Sequence, residues 1–117
     1  MDIEAFPVAS TTVMLVVGQI GEPAALPRIP GFHFRPFEDV DRALLARLQP
    51  EVVLSALIAR DFDAVELGRL LREEGFTGRY RAVTRSLPNI RAVVAEIRAT
   101  VPGLDFDVFV MDSLRHG

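Results

Sequence analysis

Two kinds of hydrophobic pattern alternate along this chain. Nearly unbroken apolar or β-branched runs occur at 11–17 (TTVMLVV), 52–57 (VVLSAL) and 106–111 (FDVFVM). Runs of this kind, with little polar alternation, suit strands covered on both faces in a parallel sheet. Two shorter segments, Phe32-His33-Phe34 and Tyr80-Arg81-Ala82-Val83-Thr84, read the same way. Strands are therefore expected near 12–17, 32–35, 52–57, 80–84 and 106–111. Between them the apolar positions fall three and four residues apart. Val40, Leu44, Leu45 and Leu48 make one helical face, Val65, Leu67, Leu70 and Leu71 a second, and Ile90, Val93, Val94, Ile97 and Val101 a third. That spacing predicts amphipathic helices near 40–48, 63–74 and 88–101.

Boundary residues support these elements. Asp39 or Asp41 caps the first helix, and Pro50 stops it. Asp63 with Glu66 three residues on forms an acidic capping box, and Gly75 stands where a helix favours a left-handed residue. The cluster Arg85-Ser86-Leu87-Pro88-Asn89 opens the last helix, and Pro102-Gly103 closes it. Strand, helix and strand from Val52 to Thr84 form one βαβ unit, whose crossover is right-handed by the general rule.

Two stretches break the rhythm. Residues 18–31, GQIGEPAALPRIPG, contain three prolines and three glycines and cannot build a regular three-turn helix. Beyond Met111 only Asp112 to Gly117 remain, too few for a closing helix. Residues 1–10 show no period and form an arm or tail.

Composition narrows the picture. A chain of 117 residues is read as one domain, 1–117, with a core of its own. Its net charge of −3 gives no basic footprint for nucleic acid. Without cysteine there is no disulfide or thiolate chemistry, and no apolar run approaches membrane-spanning length. The expectation is a cytoplasmic protein. All 13 basic residues are arginine; lysine is absent.

The segment from Pro50 to Phe76, PEVVLSALIARDFDAVELGRLLREEGF, resembles the centre of the receiver domains of two-component response regulators. Pro50, Val52 to Leu54, Asp63, Glu66 and Leu67 fall on the family's pattern without a gap. Ala64 replaces its glycine, and Ala59-Arg60 its Met-Pro. The likeness extends from about Thr12 to Met111. It implies an α/β, flavodoxin-like three-layer fold with a five-stranded parallel sheet in the order 2-1-3-4-5. Relative to that family, the first helix would be reduced and the fifth absent.

The resemblance also implies a phosphoacceptor pocket, which here is degenerate. The family needs acidic residues after the first strand to hold Mg²⁺, an Asp ending the third, a Thr or Ser ending the fourth and a Lys ending the fifth. These positions fall on Gly18 and Gln19, on Ala56 and on Thr84, and no lysine exists to fill the last. Phosphoryl chemistry, metal binding and enzymatic activity are therefore not expected, and no cofactor is implied.

Other candidates have plainer readings. Ser55 suits a strand serine bonded to backbone better than a phosphorylated serine, since no Asp-Ser-Ser-Gly-type helix start accompanies it. Asp61, Asp63 and Glu66 suit a helix N-terminus better than a metal site. His33 and His116 lack metal-ligand spacing. Arg79, Arg81, Arg85 and Arg91 read as solvated positions paired with local acids, rather than as a phosphate or acidic-partner site.

With the first and fifth helices reduced or missing, one face of the sheet would expose more apolar surface than a soluble monomer tolerates. A homodimer or protein partner is expected to cover it, on a face lined by strands one, four and five. Alternation places Arg81 and Val83 on one side of strand four, and Asp107, Phe109 and Met111 on one side of strand five. If the sides coincide, Arg81 and Asp107 would pair across the strands. The functional expectation is a phosphorylation-independent interaction or dimerisation module in signalling or regulation. The alternative is a small-molecule sensor with its ligand at the carboxyl ends of the strands, where open α/β sheets bind ligands.

Overall fold

A computed structural model of the chain describes residues 12–18, 31–85 and 89–111. Five strands form one parallel sheet: β1 Met14–Val17, β2 Phe32–Arg35, β3 Val52–Ala56, β4 Arg79–Thr84 and β5 Asp105–Val110. Their order is β2-β1-β3-β4-β5, the flavodoxin-like order expected from the sequence. Three helices connect them: α1 Arg42–Leu48, α2 Ala64–Glu73 and α3 Ile90–Thr100. The stretches on which a reduced first helix and a missing fifth were expected, 19–30 and 112–117, lie outside the described residues, as does the arm.

Local chemistry sets the helix ends. Asp41 is the cap of α1, its carboxylate accepting from Leu44 N–H at 2.9 Å, while Asp39 closes a separate 3-10 turn over Phe37–Asp39. The capping box of α2 is present in both directions, with Glu66 N–H on Asp63 at 3.0 Å and Asp63 N–H on Glu66 at 3.2 Å. At the other end Gly75 has φ 92°, Phe76 N–H reaches Leu71 O at 2.8 Å, and Gly75 N–H reaches Arg72 O at 3.2 Å. These are the two bonds of a Schellman ending. The opening of α3 differs from expectation. Asn89 adopts a left-handed backbone and its side chain caps nothing, and residues 86–88 lie outside the described residues.

Register fixes the two faces of the sheet. Leu15, Val53, Tyr80 and Phe106 stand side by side in one row, and Val17, Ser55, Ala82 and Val108 in another on the same face. These apolar residues share one buried cluster with Leu44 and Leu45 of α1, Leu67 and Leu71 of α2, and Val94 and Ile97 of α3. All three helices therefore pack on this face. The alternate residues Met14, Val16, Val52, Leu54, Ala56 and Val83 belong to the other face and none joins that cluster. Among the described residues no helix covers them.

Candidate functional site

Gly18, Ala56 and Thr84 end adjacent strands, so the sheet brings these three sequence-selected positions to one edge. Gln19 lies outside the described residues. Gly18 has φ 78°, and its N–H donates to Arg35 O at 2.9 Å. A Cβ at Gly18 would lie 2.9 Å from Cε1 of Phe62. Phe62 is buried and stacks on Phe37 with ring centroids 4.8 Å apart. At Gly18, where an acidic side chain would help hold a cation, there is only backbone, with the Phe62 ring against it. Phe62 was part of an unremarkable turn in the sequence, and only the left-handed Gly18 beneath it makes its role visible.

Ala56 brings a methyl group to the end of β3, where a phosphoacceptor would need a carboxylate. Beside it, Leu57 N–H bonds to Val83 O at 2.8 Å, and Thr84 O accepts from Met111 N–H at 2.8 Å. Ser55 points the opposite way and is fully buried. Its Oγ lies 2.8 Å from Ala56 O and 2.6 Å from Tyr80 Oη. Either hydroxyl can donate in the Ser55–Tyr80 bond. The serine thus bonds to backbone as expected, and adds a partner 25 residues away that spacing does not reveal. Burial raises the Tyr80 phenol well above its ordinary value; the Ser55 hydrogen bond opposes this, and the Asp63 charge adds to it.

The acids at 61–66 are used locally. Asp63 and Glu66 cap each other's backbone, and Asp61 is exposed. No group of three His, Cys, Asp or Glu able to hold a metal occurs among the described residues. None of the described helices is long and apolar enough to cross a membrane. A groove of about 560 Å³ lies at the opposite, amino edge of the sheet. Arg42, Gln49, Glu74, Phe76 and Gly78 are among the residues that line it. Arg42 is tied down there by Glu73 O at 3.0 Å and Glu74 Oε1 at 3.6 Å.

The second candidate region is the face at β4 and β5 that no described helix covers, hereafter the helix-free face. Register places Arg79 beside Asp105, Arg81 beside Asp107 and Val83 beside Phe109. The residues selected by alternation thus share one face, with Met111 one position past the end of β5. Phe109, Val110 and Met111 are 51%, 41% and 38% exposed. The expected Arg81–Asp107 pair is not formed. Arg81 Nη1 reaches Asp105 Oδ1 at 3.1 Å and Asp105 O at 2.8 Å, while Asp107 Oδ1 accepts from Val108 N–H at 2.9 Å. The long arginine slants back along the sheet, and the short aspartate folds onto its own backbone. Of the other arginines in this group, Arg79, Arg85 and Arg91 are exposed.

Scans of protein-family models, of curated proteins and of solved structures give no match to this chain.

Proposed function

We propose that this chain is a divergent, receiver-like domain that works by protein contact, in signalling or regulation, without phosphorylation or catalysis. The observation that carries the reading is the apolar end of β4–β5, where Val83, Phe109 and Met111 share one face of the sheet and the last two are substantially exposed. Scattered exposed apolar residues are ordinary, but a contiguous group on a sheet marks an interaction surface. The carboxyl edge supports independence from phosphorylation, since a side chain at Gly18 would run into the Phe62 ring and Ala56 carries no carboxylate. The absence of cysteine suits a cytoplasmic setting.

The test is a titration with beryllofluoride and Mg²⁺, followed by amide chemical shifts. The expected result is no saturable change at Gly18, Ala56 or Thr84. Saturable shifts there would overturn phosphorylation independence. A thermal-shift screen against nucleotides and metabolites covers the small-molecule alternative. No stabilisation is expected from any of them, and a saturable rise in midpoint would replace a contact module with a sensor.

A further inference from the structure

We infer that the occupant of the β4–β5 strip is a second copy of this chain, related by a two-fold axis running along the strands between β4 and β5. This rests on the reading of the chain as an interaction module and adds the partner and the geometry.

The strip carries three rows on the helix-free face: Arg79–Asp105, Arg81–Asp107 and Val83–Phe109. Its charges are segregated by strand, positive on β4 and negative on β5, with an apolar row at the carboxyl end. Rotation by a half-turn about an axis along the strands preserves height and direction and exchanges the two strands. β4 of one copy then lies over β5 of the other. Every row meets its complement: Arg79 faces Asp105, Arg81 faces Asp107 with the donors left over after Nη1 bonds to Asp105 of its own copy, and Val83 faces Phe109. Stacked sheets lie about 10 Å apart, a gap that an arginine and an aspartate bridge together. Asp107 uses Oδ1 for Val108 N–H, and a carboxylate retains further acceptor sites.

Other placements lose this match. An axis over β4 sets Arg81 on Arg81, and an axis over β5 sets Asp107 on Asp107. Moving it one strand towards β3 sets Arg81 on Leu54, its neighbour in the sheet. An axis across the strands through the Arg81–Asp107 row sets Arg81 on Arg81 and Asp107 on Asp107, and one through the Val83–Phe109 row sets Arg81 over the Arg85 position and Asp107 over Met111. Like charges in an interface are costly, so the charge pattern selects one arrangement.

Extension of the sheet through the edge of β5 is the competing mode, and the edge is guarded. Met111 N–H bonds to Thr84 O, so by alternation Phe106, Val108 and Val110 turn their backbone groups outward. Phe106 O is taken by Arg98 Nε at 3.0 Å, and Val108 N–H by Asp107 Oδ1 at 2.9 Å. Side chains that occupy edge groups in this way block strand addition. Face-to-face docking leaves both guards in place.

The strip is two strands wide, so the dimer is weak, dependent on concentration and loosened by salt. Sedimentation equilibrium tests it with a pair of charge reversals. Arg81→Asp alone and Asp107→Arg alone each put like charges at both symmetry-related contacts, and each is expected to weaken association by about tenfold or more. An equimolar mixture of the two restores opposite charges at both contacts and is expected to form heterodimers. A wild-type protein of single-chain mass up to about 1 mM, or a mixture that behaves like its components, overturns the inference. Circular dichroism checks that both variants fold. Should either fail to fold, wild-type amide shifts on dilution decide: changes centred on 79–83 and 105–111 support the contact, and changes centred elsewhere overturn it. Val110→Pro removes an outward N–H from the edge strand and is expected to leave association intact; its loss would assign the contact to the edge. A monomeric wild type leaves the interaction-module reading standing with a different partner, whereas beryllofluoride shifts remove that reading itself.

Discussion

Leu15, Val53, Tyr80 and Phe106 stand in one row across the sheet, and Val16, Leu54, Arg81 and Asp107 stand in the next, a single residue further along each strand. Every member of the first row has zero exposure. The second row runs from 2% at Val16 to half-buried at Arg81 and Asp107, with exposed Phe109 one row beyond. The backbone is the same for both; what differs is the helix layer. On the covered face, Tyr80 and Phe106 meet edge-to-face at 5.1 Å, beneath α2 and α3. On the other face, apolar residues over β1 and β3 give way to ion-paired and exposed ones at β4 and β5. Among the described residues the packed core thus lies on one side, and on the other exposure rises from β1 towards β5.

The largest expected effect sharpens this contrast. Phe106→Ala empties a site in the covered row and should cost about 3–5 kcal/mol, read as a fall in the urea midpoint. Gly18→Asp comes next. It forces a side chain onto a left-handed backbone and against Phe62, so a loss of about 1–3 kcal/mol is expected. No Mg²⁺-dependent recovery should accompany it, since Ala56 supplies no second carboxylate.

Tyr80→Phe has a smaller effect that depends on pH. At neutral pH it removes the bond to Ser55 and costs about 1 kcal/mol. Burial raises the phenol's pKa in the folded protein, so the fold favours the neutral form. The wild type therefore keeps that stability below the ordinary tyrosine value of about 10 and loses it as pH rises above that value. The gap between wild type and variant should narrow in alkaline solution, as measured by thermal midpoints from neutral to alkaline pH. A constant gap would mean that Tyr80 is not sealed on the covered side.

The smallest effect lies on the face that no described helix covers. Phe109→Ala should change the stability of the monomer by less than about 0.5 kcal/mol, as for other exposed positions. A loss approaching that of Phe106→Ala would show that the two faces are equally packed and would break the comparison.

Much of the covered face was legible in the sequence, because periodicity reports burial. The apolar spacing in 63–74 and 88–101 and the pair Asp63 and Glu66 marked α2, α3 and the start of α2 before any coordinates. The sheet order came from the likeness to receiver domains rather than from the pattern of the βαβ unit around Val52–Thr84. Side-chain bonds between distant residues were not legible. Alternation placed Arg81 and Asp107 on one side, but the choice of Asp105 as the partner depends on how a flexible side chain slants. Ser55 and Tyr80 meet through register, and Phe62 meets Gly18 through a backbone turn. At the carboxyl edge, the lack of carboxylates at Gly18 and Ala56 was legible but the Phe62 ring against Gly18 was not.

The guard on β5 has a consequence for how the chain survives its own folding. Half of it, Asp107, lies in the strand itself, but the other half, Arg98, belongs to α3. The edge is therefore fully shielded only while that helix is docked. A local opening that lifts α3 while leaving the sheet intact frees Phe106 O, beside a six-residue strand, DFDVFV, that is rich in aromatic and β-branched side chains. Such an opening turns a protected edge into a template for other strands. Aggregation of this protein should then follow the docking equilibrium of α3 rather than global unfolding, with Arg98 as the residue that couples them.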